Sequence, residues 1–336
     1  MSKKLGGTFI TQGIIDENNQ YIPAGSNSSL DYFLRNSKLK FFNKGEYGFI
    51  YTAEMNHVIS TYGNKLQSPY LYFDLNKPTN IMDTPYQLRY VNTVLIKVCV
   101  IHEDTLTLRI DKKTIHSVTI ESFNNEVTLQ NTINEKTGIF AESITPKIIY
   151  YSNNYIANPH AKNMLNDFYN KVNQNYLNCK IGVIVMEFGD GYETLHTEYQ
   201  NTTNTQDDKH DCTAHAITDL ILLTLETWII HGDHHTGNFL YNKTYKKSFI
   251  IDFGRSLTLN YHEYHAFLQL FSDFITYQTT ESLNILMKFV YNQGAFYDKT
   301  RNFEFKNFHV SHSFYRWIYQ NNDGIRSKVI TILYER

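Results

Sequence analysis

Two aspartates and an asparagine in the second half of the chain have types and spacing suited to chemistry on a phosphate. Asp233 and Asn238 lie five residues apart in the string His231-Gly232-Asp233-His234-His235-Thr236-Gly237-Asn238. Asp252 follows a short apolar run, Phe249-Ile250-Ile251, and begins Asp252-Phe253-Gly254. Phe239-Leu240-Tyr241 continues directly from Asn238, so two short strands would present all three side chains at neighbouring ends. A hard cation such as magnesium takes oxygen ligands, commonly one or two carboxylates together with phosphate oxygens. Asn238 and Asp252 suit that role. A separate carboxylate must orient an attacking hydroxyl and accept its proton, and Asp233 suits that one. The three histidines of the string also allow a transition-metal site, although no His-Glu-x-x-His spacing occurs.

The elements around these residues divide the chain. Leu39 to Ala53 reads as two β-rich runs about a turn containing Gly45 and Gly48. Val94 to Val100 is an apolar strand interrupted by one lysine, Lys97, which needs a partner if it is buried. A hairpin is expected over 105–118, a helix over 122–133, strands over 147–151 and 181–186, and a helix around 164–172. Residues 56–92 and 197–211 are polar and read as loops. Ile217, Leu220, Ile221, Leu225 and Trp228 recur at helical steps and predict a core-facing stripe. The region from Tyr261 to Tyr334 reads mostly as helix. The fold class is therefore α+β in two lobes: 1–35 an extension, 36–188 strand-rich, and 189–336 mostly helical.

Bulk composition excludes several classes. Of 336 residues, 42% are hydrophobic and 15% aromatic, enough to fill a packed interior. The net charge of −2 offers no polyanion-binding surface, so no nucleic-acid partner is expected. Three scattered cysteines, Cys99, Cys179 and Cys212, fit a reducing compartment. The apolar run from Ile217 to Ile230 is broken by Thr, Asp and Glu and is too polar to span a bilayer. The first thirteen residues lack the apolar stretch of a signal peptide. A cytoplasmic location is the expectation. The excess of Asn, Ile, Lys and Tyr fits an AT-rich genome, as in large DNA viruses.

Taken together, the motifs resemble the protein-kinase-like superfamily. His231, Asp233 and Asn238, with Asp252-Phe253-Gly254, are similar to the kinase catalytic loop and its Asp-Phe-Gly motif. Asn43-x-Gly45-x-x-Gly48-x-Ile50 resembles the Gly-rich loop, with Asn for the first Gly. Val94-Leu95-Ile96-Lys97 resembles the strand whose lysine holds the ATP phosphates, and Glu126 resembles its ion-pair partner. Val185-Met186-Glu187-Phe188 resembles the hinge. The resemblance implies a bilobal fold that uses ATP and Mg²⁺, with an insertion near 56–92 in the N-lobe over 36–188 and a reduced helical C-lobe over 189–336. It casts Asp233 as the catalytic residue and Asn238 and Asp252 as metal ligands. Gly45, Gly48, Ile50, Lys97, Glu126, Glu187 and Phe188 would be nucleotide-site residues. The implied activity is that of a serine/threonine-protein kinase with a protein substrate.

There are departures. Gly232 stands where many protein kinases carry Arg, and His235 where they usually carry Lys. Leu95 fills a usually small position over the adenine. No Ala-Pro-Glu follows Gly254. The string His-Gly-Asp-x-His-x-Gly-Asn is also similar to aminoglycoside phosphotransferases and choline kinases. A small-molecule kinase and a non-catalytic pseudokinase scaffold therefore stand as alternatives.

Overall fold

The computed structural model describes residues 9–10, 13–15, 21–23, 34–35, 37–54, 71–74, 87–90, 93–140, 143–188, 191–291, 296–297, 303–304 and 313–336. They form two compact units, one from residues 1–128 with 147–190 and the other from 129–146 with 191–336.

The first unit is built on a five-stranded antiparallel sheet. Its strands are β1 (Leu39–Lys44), β2 (Gly48–Glu54), β3 (Thr93–Ile101), β6 (Ile148–Ser152) and β7 (Lys180–Phe188), in the order β6-β7-β3-β2-β1. The hairpin of β4 (Thr107–Ile110) and β5 (Lys113–His116) and the helix α2 (Met164–Asn175) belong to the same unit, as does the start of α1 (Ile120–Phe140). Strand β3 is central and covered on both faces, which explains its nearly unbroken apolar run. Alternation then sorts the sheet into two faces. On one, Phe49, Tyr51, Ile96, Val98, Val183 and Val185 share a core with Leu165, Phe168 and Val172 of α2. The opposite face carries Ile50, Lys97 and Ile184, which lie side by side across β2, β3 and β7. The adjoining row on that face is Gly48, Cys99 and Gly182.

Gly182 makes the seat for α1. A Cβ there would lie 2.7 Å from Phe123 Cε2 and 2.9 Å from Cys99 Sγ. Phe123 is buried against this bare backbone, and Glu126 follows one turn later on the same helical face. Thr119 starts the helix by accepting a hydrogen bond from Ser122 N at 3.1 Å. The helix is longer than its expected span of 122–133, and its second half packs with the second unit. There Ile133 enters the core, Gln130 Nε2 donates to Pro146 O at 2.9 Å, and Asn134 Nδ2 donates to Thr145 O at 2.8 Å.

The second unit contains β8 (Tyr192–Thr194), α3 (Leu195–Gln200), α4 (Gln206–Thr227), β9 (Ile229–Ile230), β10 (Phe239–Asn242), β11 (Lys247–Ile250) and β12 (Leu257–Thr258). Helices α5 (Tyr261–Tyr277), α6 (Thr280–Tyr291), α7 (Ser313–Gln320) and α8 (Asn322–Glu335) follow. Strands β8, β10 and β11 form one sheet, while β9 pairs with β12 and brackets the segment 231–256.

Three sequence expectations need correction. The polar stretch 197–211 contains α3 and the start of α4. Thr205 accepts from Asp208 N at 3.1 Å and its own N donates to Asp208 Oδ2 at 2.9 Å, a capping box that makes a polar first turn a good helix start. Trp228 is not part of the core stripe. It ends α4 with φ 64°, is 37% exposed and stacks on Tyr264 at 4.2 Å. Within 56–92, Leu71–Asp74 pairs with Gln87–Tyr90, and within 1–35, Gly13–Ile15 pairs with Tyr21–Pro23. The rest of those two stretches lies mostly outside the described residues, as do residues 189 and 190 of the expected boundary turn. Among the described residues no helix is long and apolar enough to cross a membrane.

Because α1 is seated on Gly182, Gly182→Val should destabilise the protein by about 1–3 kcal/mol in urea unfolding. Combined with Phe123→Ala it should cost less than the sum of the two single changes, since the smaller side chain opens the space the valine needs.

Candidate active site

Within the first unit, the structure joins Lys97 to Glu126. The Nζ–Oε1 distance is 2.6 Å and the two side chains are 5% and 6% exposed. Glu121, the other acid near the start of α1, is exposed. Leaving either member of a buried pair alone costs about 3–5 kcal/mol, so each charge requires the other. Ile50 and Ile184 flank Lys97 in register and are buried. Leu95 and Met186 are opposed on the same face and also buried. Phe188 ends β7 with its ring 5.6 Å from Phe42 in an edge contact. Glu187 lies on β7 opposite Val94, and its side chain falls outside the described residues.

The turn between β1 and β2 is closed by Gly45 N donating to Gly48 O at 2.9 Å. It is tied to the β4–β5 hairpin by His116 N donating to Glu46 O at 2.9 Å. Gly48 passes so near β3 that a Cβ would sit 2.3 Å from Val98 O. Strand packing alone therefore demands glycine at this position.

In the second unit, Asp233, Asn238 and Asp252 are organised around the backbone of one residue, Ile251. Ile251 N donates to Asn238 O at 3.0 Å, and Ile251 O accepts from His231 Nε2 at 2.9 Å. The residue before Asp252 is thus held from both sides by the two ends of the catalytic-loop string. His231 is fully buried, with Phe253 edge-on at 5.1 Å. Burial pushes its pKa down, which keeps the ring neutral with the proton on Nε2. Its Nδ1 has no hydrogen-bond partner among the described residues. Asn238 Nδ2 donates to Asp233 O at 3.0 Å, which fixes the amide and leaves Oδ1 as its acceptor atom. Asp252 adopts φ 68°, a left-handed conformation that costs an L-residue roughly 1–2 kcal/mol. The clamp on Ile251 and the buried Phe253 on either side of it hold that conformation.

Gly232 and His235 were singled out in the sequence as departures, and each has a physical role. Gly232 has φ +77°, and a Cβ there would lie 2.2 Å from Arg255 O. No side chain, and certainly no arginine, fits while the loop lies this close to the segment after Gly254. Ser256 Oγ reinforces the contact by donating to His231 O at 3.0 Å. His235 Nδ1 accepts from Gly237 N at 3.1 Å, so its Nε2 carries the proton, 3.8 Å from Asp233 Oδ2. Sequence reasoning missed the Ile251 clamp and the Arg255 contact. A glycine directly before Asp233 was the available signal for the second. The first is made by main-chain atoms and leaves no residue-type signature.

No group of three or more His, Cys, Asp or Glu side chains among the described residues is arranged to hold a metal ion. Asn238 and Asp252 offer two hard oxygen donors, which is the partial set expected of a magnesium site completed by substrate phosphates.

Residues 170–286 match the family model of the ABC1 atypical kinase-like domain. The matched stretch contains Asp233, Asn238 and Asp252 and does not reach Lys97 or Glu126. No curated protein matches the chain. The matched stretch is 117 of the chain's 336 residues, and over it the chain is similar to an atypical kinase-like domain; the described residues form an α+β structure of two compact units.

Gly232→Ala should lower the unfolding free energy by at least about 2 kcal/mol, because it adds left-handed strain to the overlap with Arg255 O. Urea denaturation of wild type and variant measures this directly.

Proposed function

We propose that the chain transfers the γ-phosphate of ATP to a hydroxyl group, and that the acceptor is a serine or threonine of a protein. The observation that carries the reading is the clamp on Ile251, which couples the Asp233–Asn238 loop to Asp252 in the second unit. Asn238 Oδ1 and the Asp252 carboxylate would hold Mg²⁺, which when bound neutralises charge on the phosphates. Lys97, braced by Glu126, would pair with ATP phosphates. Ile50, Leu95 and Met186 would pack against its base, with the backbone at Glu187 and Phe188 nearby and the Gly45–Gly48 turn over the phosphates.

The chemistry assigned to the chain's own residues is modest. Asp233 orients the acceptor hydroxyl and takes its proton as the oxygen attacks the γ-phosphorus. The bond from that phosphorus to the β-bridging oxygen breaks, and ADP leaves. His235 Nε2 lies 3.8 Å from Asp233 Oδ2, close to the carboxylate but beyond hydrogen-bond distance. Positioning by a general base of this kind contributes about 10²–10⁴-fold in rate.

The protein-acceptor reading is supported by the glycine-containing hairpin, the buried Lys97–Glu126 pair and the hinge-like end of β7. One observation favours a second reading, transfer to a small-molecule alcohol. The Gly232–Arg255 contact leaves no room for the arginine that reads a phosphorylated loop in many protein kinases.

Incubation with γ-labelled ATP and Mg²⁺, offering protein and amino-alcohol acceptors together, separates the readings. Label on serine or threonine of the protein acceptor is the expected result, and it should disappear in Lys97→Met. Label confined to the small acceptors would select the second reading. Absence of both nucleotide binding and transfer would leave a scaffold.

A further inference from the structure

The second unit contains a cavity of about 760 Å³ that none of Asp233, Asn238 and Asp252 lines. That volume lies within the range of small-molecule sites, roughly 300–1,000 Å³. Its walls come from α4, from the turn between β10 and β11, and from α8. Four cationic side chains line it, Lys246, Lys247, Lys328 and Arg336, against two carboxylates, Asp211 and Glu335. Three of the cations are held in place by different means. Arg336 Nη1 is anchored on Asp219, a fully buried acid that also accepts from Ser248 Oγ. Lys328 lies 3.1 Å from Asp207 and 3.6 Å from Asp211. Lys247 Nζ lies 5.0 Å from the centre of the Phe249 ring. Lys246 is exposed.

A second, independent feature points to a ligand. His215 lines the same cavity and is only 7% exposed, yet its Nδ1 has no hydrogen-bond partner among the described residues. A buried polar atom without a partner is uncommon and calls for an explanation. Burial pushes the His215 pKa down to about 4, so near neutrality the ring is uncharged and available as a donor or acceptor. The hydroxyls of Ser327 and Thr331 lie along the α8 wall.

We infer that this cavity binds a small molecule bearing a phosphate dianion, held by Lys246, Lys247 and Arg336 with His215 supplying a neutral hydrogen bond at its inner end. Multiple fixed cations around a polar cavity suit the oxygens of a phosphate, and arginine in particular matches their geometry. The turn that carries Lys246 and Lys247 closes the β10–β11 hairpin, whose open end carries Asn238 and Asp252.

Calorimetric titration of the full chain with inorganic pyrophosphate, in EDTA and without nucleotide, tests the site apart from the proposed transfer reaction. Saturable binding is expected. The Lys246→Gln/Lys247→Gln double variant should bind at least about tenfold more weakly, while Asp252→Asn binds as wild type. A thermal melt provides the second measurement. Pyrophosphate should raise the midpoint of wild type and Asp252→Asn and have a much smaller effect on the lysine variant. No saturable binding at millimolar pyrophosphate would overturn the inference. So would binding that is lost in Asp252→Asn and kept in the lysine variant, since the ligand would then occupy the phosphoryl-transfer residues.

Discussion

The backbone of Ile251 is the junction on which the candidate chemistry depends. Its N–H is taken by Asn238 O and its C=O by His231 Nε2. Both bonds are buried or nearly so, and a lost buried hydrogen bond costs the desolvation of whichever partner is left, about 1–3 kcal/mol. This fixes the entry to Asp252, whose left-handed backbone would otherwise relax. Gly232 adds a steric condition to the same junction, since the approach to Arg255 O is possible only without a side chain. Bond and contact together make residues 231–256 one element, closed at its base by the pairing of Ile229–Ile230 with Leu257–Thr258.

The first unit uses packing to the same end. One face of its sheet is an ordinary aliphatic and aromatic core. The other carries a lysine in its central strand, which is tolerable only with a carboxylate at hydrogen-bond distance. Delivery of that carboxylate depends on Gly182, whose bare backbone lets Phe123 settle and so sets the height of Glu126 along the helix. The charge pair and the apolar seat are therefore one device. A change at the seat, three residues from the acid, would reach the lysine.

Much of this was legible in the sequence, unevenly and for physical reasons. Val94 to Val100 declared a central strand because both faces need apolar cover, and Lys97 stood out against it. The three polar residues at 233, 238 and 252 were visible because their chemistry requires those types. The helix start at Gln206 was hidden because a capped first turn is polar, and composition alone makes 197–211 resemble a loop. Trp228 fell on the helical period but lies past the last turn, where the chain reverses hand. The second half of α1 was missed because its contacts are amide and hydroxyl bonds from Gln130, Asn134 and Thr137, which carry no hydrophobic period. The Ile251 clamp was illegible for a deeper reason, since main-chain atoms are the same in every residue.

The division of labour among Asp233, Asn238 and Asp252 is the centre of the proposed reaction, and Asp233→Asn addresses it with the smallest change in shape. The measurement is the single-turnover rate of γ-phosphate transfer alongside the dissociation constant for Mg-ATP, in wild type and variant. The proposed roles predict a rate lower by about 10²–10⁴-fold with nucleotide affinity essentially unchanged. An unaltered transfer rate in the variant would contradict them.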